Sequence, residues 1–383
     1  MESNNDHQKI DHTDMNPAES RNGDQSNVCC TDNHFDPCRT DATKAIVTIK
    51  PDETEAGLNE LHQVAPDAKL EQWLDDGLAV IQLPKGFDNL ASEWREHPPI
   101  FVQHMCPVHL TVSLANRVDD VPNIVQHVQH MHNLLQDRLS FSVQTRMSER
   151  FKPPYKRFTV NEAIATNVAQ KTGLKLDVKK PEQIVSVVVT EGCAFVGVSL
   201  AACNLSDWAG GKRRFAQEKG QISRAEFKLL EAIEVFGISM PSGGWALDLG
   251  AAPGGWTRVL RKHNINVVAV DPAKLDRSLV RDGSVHHFRE TAQLYFKRDN
   301  ARTFALIVND MRLDTKESVA LMGEAAERLK EGGFAVVTLK LPKRHSQKTV
   351  TQAVAKLERW YNICGVRQLF HNRSEVTVYM QKK

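Results

Sequence analysis

A chain of 383 residues, 41% hydrophobic and 25% charged, is long enough for two or three domains and apolar enough to give each a core. No stretch reaches the ~20 consecutive apolar residues of a membrane helix, and the start, Met1-Glu-Ser-Asn-Asn-Asp, lacks the basic segment and apolar run of a secretory signal. A soluble, cytoplasmic protein with no membrane partner is therefore expected. The formal net charge of +2 does not by itself announce a nucleic-acid binder, but it is unevenly spread. Residues 1–43 are acid-rich, whereas Arg146–Arg157 (RMSERFKPPYKR) and Gly210–Arg214 (GGKRR) are basic.

Seven cysteines, at 29, 30, 38, 106, 193, 203 and 364, form no paired CxxC arrangement of the structural zinc type. Cys29, Cys30 and Cys38 lie near His34 in a polar tail. The remaining cysteines read as reduced, mostly buried thiols, and no metal site is expected.

In chain order, residues 1–43 hold too few large apolar side chains to offset the entropy of ordering and are expected to be a disordered acidic tail. Residues 44–115 alternate short β-like runs with amphipathic stretches. Ala45–Ile49 and Leu78–Leu83 are predicted strands, Glu55–Val64 and Phe87–Trp94 helices, and Ile100–Val102 and Leu110–Leu114 further strands. A small α+β sandwich of ferredoxin-like type fits this pattern. Residues 116–208 make a second α+β unit. Its helix Pro122–Gln136 carries His127, His130 and His132, of which only the first two share a helical face. Strands follow at Leu139–Thr145, Leu174–Val178, Ile184–Val189 and Ala194–Ser199. A helix over Thr159–Thr172 has Thr159 placed as N-cap and Glu162 three residues on, a capping box.

A basic linker, residues 209–221, leads to residues 222–383, where strands and helices alternate strictly. Strands are expected at Trp245–Leu249, Val267–Val270, Val285–Phe288, Leu306–Asn309, Phe334–Leu339, Arg367–Phe370 and Val376–Met380. The alternation implies a parallel doubly wound α/β sheet. The short turn Asn372-Arg373-Ser374 before the last run requires an antiparallel final strand.

Within this half, Trp245–Thr257 reads WALDLGAAPGGWT. An apolar strand ends at Asp248, Gly250 and Ala251 follow, and Pro253, Gly254, Gly255 and Trp256 lead into a helical pattern. Glycines between a strand and a helix let a ligand approach the backbone closely. Asp248 can accept hydrogen bonds or receive a positively charged amine. Asp271, 23 positions later at the end of the next strand, stands where such folds place an acid for two ribose hydroxyls. The GxGxxG fingerprint is absent, which argues against a dinucleotide enzyme.

DLGAAPGGW resembles the first motif of the FtsJ-like ribose 2′-O-methyltransferases over roughly residues 222–380. SRAEFKLLEA, NDMRLD, TLKLPK and RQLFHNRSEVTV within that span are most similar to the RlmM-type large-subunit rRNA methyltransferases. Residues 139–205 resemble a THUMP RNA-binding domain, and the module before them resembles the ferredoxin-like N-terminal domain of the same type. The resemblance implies a class I methyltransferase domain, Rossmann-like, with a seven-stranded sheet and antiparallel last strand, using S-adenosylmethionine. It further implies that Asp248, Gly250, Ala251, Pro253, Gly254, Gly255, Trp256, Asp271, Glu290 and Asp310 bind that cofactor. Glu290 stands one position from the acid that the family places against the adenine amino group.

The family's Lys–Asp–Lys–Glu set has matching positions at Lys228, Asp310, Lys340 and Glu375. Methyl transfer from a sulfonium to a ribose hydroxyl needs alignment and removal of the hydroxyl proton. Lys340 is the candidate base. An ordinary lysine, pKa about 10.4, is protonated at pH 7, and burial or a second cation such as Lys228 would free the amine. Asp310 and Glu375 would orient the lysines and the hydroxyl.

RNA, in particular large-subunit rRNA, is the implied partner. Arg146, Lys152, Lys156 and Arg157, interleaved with Phe151, Tyr155 and Phe158, could track phosphates and stack on bases. Lys212–Arg214 and Lys343–Arg344 could extend that track. Two alternatives stand beside this reading: a non-catalytic RNA-binding or ribosome-assembly factor, and a tRNA base methyltransferase. The latter commonly carries an Asn/Asp-Pro-Pro-aromatic motif where Asn309-Asp310-Met311-Arg312 stands here.

Overall fold

A computed structural model describes residues 40–298 and 302–383. The Cys29, Cys30, His34 and Cys38 cluster, and the tail expected over 1–43 apart from its last four residues, lie outside the described residues. The first unit runs β1 (Lys44–Ile49), α1 (Thr54–Val64), β2 (Lys69–Asp75), β3 (Leu78–Gln82), α2 (Phe87–Glu96), β4 (Val102–Pro107). Its sheet has the order β2-β3-β1-β4 with every neighbour antiparallel, the ferredoxin-like arrangement. The period of α2 explains its place: Phe87, Leu90, Ala91 and Trp94 fall on one face and are all buried. They pack over Val47, Ala79, Ile81 and Met105, each large side chain contributing about 1.5–3 kcal/mol by leaving water. Strand β2 escapes the sequence pattern because it is a polar edge with two register shifts against β3 and mostly exposed side chains.

The second unit comprises β5 (Leu110–Ser113), α3 (Asp120–Val128), β6 (Phe141–Met147), α4 (Arg157–Thr172), β7 (Gln183–Val189) and β8 (Cys193–Leu200). Its sheet order is β5-β8-β7-β6, with β6–β7 parallel and the other pairs antiparallel. The run at Leu110, read with the first unit, thus pairs with β8 in the second sheet. Close approach of the two sheets is possible because Gly197 has no side chain where it meets the Pro107 carbonyl. The Leu174–Val178 run supplies only one bridge, Leu176 to Phe141, rather than a strand. The expected capping box does not form. Helix α4 begins at Arg157 without a side-chain cap, Tyr155 being buried just ahead of it, so Thr159 falls inside the first turn. The long helix expected over Pro122–Gln136 ends at Val128 and tightens into a 3-10 turn over Gln129–Leu134.

The third unit opens with α5 (Glu226–Val235) and continues β9 (Trp245–Leu249), α6 (Gly255–Lys262), β10 (Asn266–Val270), α7 (Arg277–Val280), β11 (Val285–Phe288), α8 (Ala292–Phe296), β12 (Phe304–Asn309), α9 (Thr315–Ala326), β13 (Leu329–Lys340), α10 (Ser346–Leu357), β14 (Tyr361–Arg367) and β15 (Glu375–Lys382). The seven-stranded sheet has the order β11-β10-β9-β12-β13-β15-β14, and β15 runs antiparallel between β13 and β14. Near-continuous Val, Ile, Leu and Ala in β9, β10, β12 and β13 suit strands covered on both faces, and separate apolar cores fill the two sides. The sixth strand lies at Tyr361–Arg367 and shares only Arg367 with the expected Arg367–Phe370. Residues 368–371 give their backbone groups to other partners: Gln368 N–H donates to Ile100 O (2.8 Å), and Phe370 and His371 N–H donate to Glu231.

No helix among the described residues is long and apolar enough to cross a membrane, and among them no group of three or more His, Cys, Asp or Glu could hold a metal ion. Cys106, Cys193 and Cys364 are free thiols. Cys203, read as reduced, is in a disulfide.

Candidate active site

The carboxyl ends of β9, β12 and β13 and the start of α5 surround a cleft of about 880 Å³, at the crevice where doubly wound sheets bind ligands. Gly250 follows β9 with φ +76°, and a side chain there would strike Met311. Gly255 opens α6, and a side chain on it would strike Ser223, so its absence lets the segment leading into α5 approach. Gly250, Ala251, Pro253, Gly255, Trp256 and Asp248 all line the cleft. Trp256 does so with its backbone turn: its ring is buried and its Nε1–H donates to Ala225 O (2.8 Å), which bolts α6 to α5.

Asp248 is 1% exposed. It accepts from Thr257 Oγ1 at 2.6 Å, and no cation pairs with it among the described residues. Burial pushes its carboxyl up to about 7, with Asp310 and Asp271 acting in the same direction and Thr257 opposing them. Three expected cofactor residues do not line the cleft. Asp271 accepts from Ala252 N–H (3.1 Å) and Ala273 N–H (2.8 Å), bracing the turn. Gly254, at φ +116°, makes room for Leu279 of α7. Glu290 is held in a forked pair by Arg298, at 2.6 and 2.8 Å.

Lys228, Asp310, Lys340 and Glu375, separated by up to 147 positions, come together at the cleft wall. Lys228, on α5, reaches Asp310 Oδ1 at 2.9 Å and Glu375 Oε1 at 3.4 Å. Lys340, the last residue of β13, pairs with Glu375, the first of β15, because the antiparallel register sets the two opposite each other. Glu375 is 2% exposed against 35% for Lys340. Burial alone would raise the Glu375 carboxyl, but Lys340 and Lys228 outweigh it and hold it below the usual carboxylate range.

Sequence reasoning missed several neighbours. Thr338 donates to Asp310 Oδ1 at 2.7 Å. Its period-two spacing from Lys340 on β13, which puts both on one face, was a usable signal. The cleft also takes Arg224, Arg312 and Arg373, exposed and without ion-pair partners among the described residues, and an aromatic wall of Phe227, Phe370 and His371. Nothing in the local sequence marks these, since they meet only through the fold.

The basic track of the second unit divides. Lys152, Lys156, Arg157 and Phe158 are exposed, and the Arg157 guanidinium lies 4.8 Å from the Phe158 ring centroid. Arg146 does not share that surface. It tucks under Gly210 and donates to Thr48 Oγ1 (2.8 Å), because β6 runs against the first unit. Phe151 and Tyr155 pack into the core. Lys212 pairs with Glu149, and Arg213 pairs with Asp207 and Glu234, while Arg214, Lys343 and Arg344 are exposed.

The strand order, the antiparallel β15 and the glycine turn after β9 define a class I methyltransferase fold. A family model described as FtsJ-like methyltransferase matches residues 221–357, and a THUMP domain model matches residues 116–199. The chain therefore carries an FtsJ-like methyltransferase domain and, before it, a THUMP domain. A protein of Erwinia tasmaniensis named ribosomal RNA large subunit methyltransferase M is 33% identical over 230 residues, covering 56% of this chain and 61% of that protein. Its namesake in Salmonella arizonae is 34% identical over 208 residues, covering 51% and 55%. The chain thus matches less than two thirds of the length of either relative. Among solved structures, TrmN from Thermus thermophilus is 16% identical and aligns over 89% of this chain and 99% of its own, at a TM-score of 0.35.

Proposed function

We propose that this protein is an S-adenosylmethionine-dependent RNA methyltransferase that methylates a ribose 2′-hydroxyl, in large-subunit rRNA, in the cytoplasm. The observation that carries the reading is the meeting of two amines and two carboxylates beside a glycine-walled cleft with an unpaired buried acid. Asp248 suits a cationic ligand: a carboxyl that burial keeps near pH 7 without a counter-ion gains from a positive charge brought beside it. The residues that would hold the cofactor are Asp248, the open backbone of Gly250 and Ala251, the Pro253–Trp256 turn and Asp310. When bound, S-adenosylmethionine supplies an electrophilic methyl carbon with a neutral thioether as its leaving group.

The chain's own groups then have to place and deprotonate a hydroxyl. Glu375, fixed by Lys228 and by Arg373 N–H (2.5 Å), accepts a hydrogen from Lys340 and so sets the direction of that amine. In its free-amine form Lys340 takes the hydroxyl proton as the oxygen bonds to carbon. Asp310, oriented by Thr338 and Lys228, stands across the same opening. Arg224, Arg312 and Arg373 offer charge to the phosphates flanking the target sugar.

The relatives' names support large-subunit rRNA, and the THUMP domain supports an RNA substrate. A merely RNA-binding role would leave the clustered lysines and acids without a use, and no Pro-Pro follows Asn309 to suggest base chemistry. The test is transfer of tritiated methyl from S-adenosylmethionine to total RNA of cells lacking the protein. Label is expected at one position of large-subunit rRNA; label confined to tRNA, or none, would contradict the reading.

A further inference from the structure

Resting on that reading, we propose that Lys50 of the first unit is a positioning residue for methyl transfer, holding the Phe370–Asn372 loop that delivers Glu375 and Arg373 to the cleft. Lys50 follows β1 directly, more than 300 positions from the loop. Its ammonium donates to Phe370 O at 3.3 Å and to Asn372 O. The opposite edge of the loop is held from α5, where Glu231 accepts from Phe370 N–H at 2.8 Å and His371 N–H at 2.9 Å. The loop is therefore clamped between a cation that takes its carbonyls and an anion that takes its amides.

Other contacts from the first unit converge on the start of the same connection. Gln103 donates to Gln368 O (3.0 Å), and Arg367 donates to Val102 O (3.0 Å). Glu60 accepts three successive N–H groups, from Ile100, Phe101 and Val102, and so stiffens the segment that meets Gln368. Within the loop Asn372 Oδ1 accepts from Leu369 N–H (2.8 Å) and Thr377 Oγ1 (3.0 Å), and Arg373 N–H closes on Glu375. A shift at Asn372 therefore moves the carboxylate that aims Lys340. Misplacement of catalytic groups by about 1 Å can cost ~10²-fold in rate.

The groups around the Lys50 amine are Glu231 and Lys228 from α5, Glu375 from β15, and Asp52 beside it in sequence. Burial lowers Lys50 to about 8, with Lys228 acting in the same direction and the three acids opposing them. The charge that grips the loop is thus present below about pH 8 and lost above it.

The test compares full-length wild type with Lys50→Met and Lys50→Arg, by amide hydrogen exchange of residues 370–373 and by single-turnover transfer to RNA at saturating substrates. Lys50→Met is expected to speed exchange of the loop at least ~10-fold and to slow transfer by ~10–100-fold. Cofactor affinity and thermal midpoint should stay near wild type. Lys50→Arg should restore both, and should keep its rate above pH 8, where wild type declines. Unchanged loop exchange in Lys50→Met would overturn the proposal, as would loss of cofactor binding and thermal midpoint together in both variants. Failure of wild type to methylate RNA would instead refute the functional reading, while the exchange result still decides whether Lys50 holds the loop.

Discussion

Lys340→Ala is expected to slow methyl transfer by ~10²–10⁴-fold, the usual contribution of a positioned base, with cofactor binding intact. The side chain ends a sheet strand at the cleft mouth and touches Glu375 alone among the described acids. Its removal leaves Glu375 still bonded to Lys228 and to Arg373 N–H, so the fold loses little. Lys340→Arg should not rescue the rate, because a guanidinium does not give up its proton near neutral pH. Single-turnover rates at saturating cofactor and RNA, beside calorimetric cofactor affinity, make the check. A defect confined to affinity would remove Lys340 from the chemistry.

The second large effect concerns Asp248, where stability and binding are expected to oppose each other. Its carboxyl is raised from an ordinary 3.8 to about 7 in the folded chain. Between those values the unfolded chain holds fewer protons than the folded one, so this group's contribution to stability falls as pH rises through that window. Above about pH 7 the penalty is constant. Asp248→Asn removes the charge and is expected to stabilise the ligand-free protein relative to wild type. The advantage should be small at pH 4, grow towards pH 7 and then level off. It should reach a few kcal/mol, since each tenfold change in proton affinity between the two states is worth ~1.4 kcal/mol. The same substitution should abolish the rise in thermal midpoint expected of wild type with S-adenosylmethionine. Thermal scans of both proteins at several pH values, with and without cofactor, provide the measurement.

The parts of this molecule legible in the sequence are those whose pattern is local. Buried parallel strands read as apolar runs, so the extent of β9 matches the expected one to the residue and that of β10 differs only by Asn266 at its start. The glycine turn between β9 and α6 carries its own spacing. Parts set by distant partners were not legible. Strand β2 is a polar edge, β14 lies ahead of the expected run because Ile100 and Glu231 take the backbone groups after Arg367, and β5 crosses to the second sheet.

The same division runs through the site. Lys228, Asp310, Lys340 and Glu375 could be named because each stands in a distinctive segment, and the fold brings them within hydrogen-bonding distance. Glu290 looked suitable by position, but Arg298, eight residues on, occupies it. Arg146 looked suitable by charge, yet it faces Thr48 of the first unit. Lys50 had no signal at all, since its partners are main-chain carbonyls more than 300 residues away. Sequence pattern identifies the groups proposed to do the chemistry more readily than those proposed to hold them in place.

Alkaline hydrolysis of RNA labelled by this protein distinguishes a sugar hydroxyl from a base as the methyl acceptor. Methylation of O2′ removes the neighbouring nucleophile that alkali needs, so the label is expected in an alkali-resistant dinucleotide, and to vanish with Lys340→Ala. Label released in a single nucleotide would place the methyl on a base and contradict the reading of the cleft.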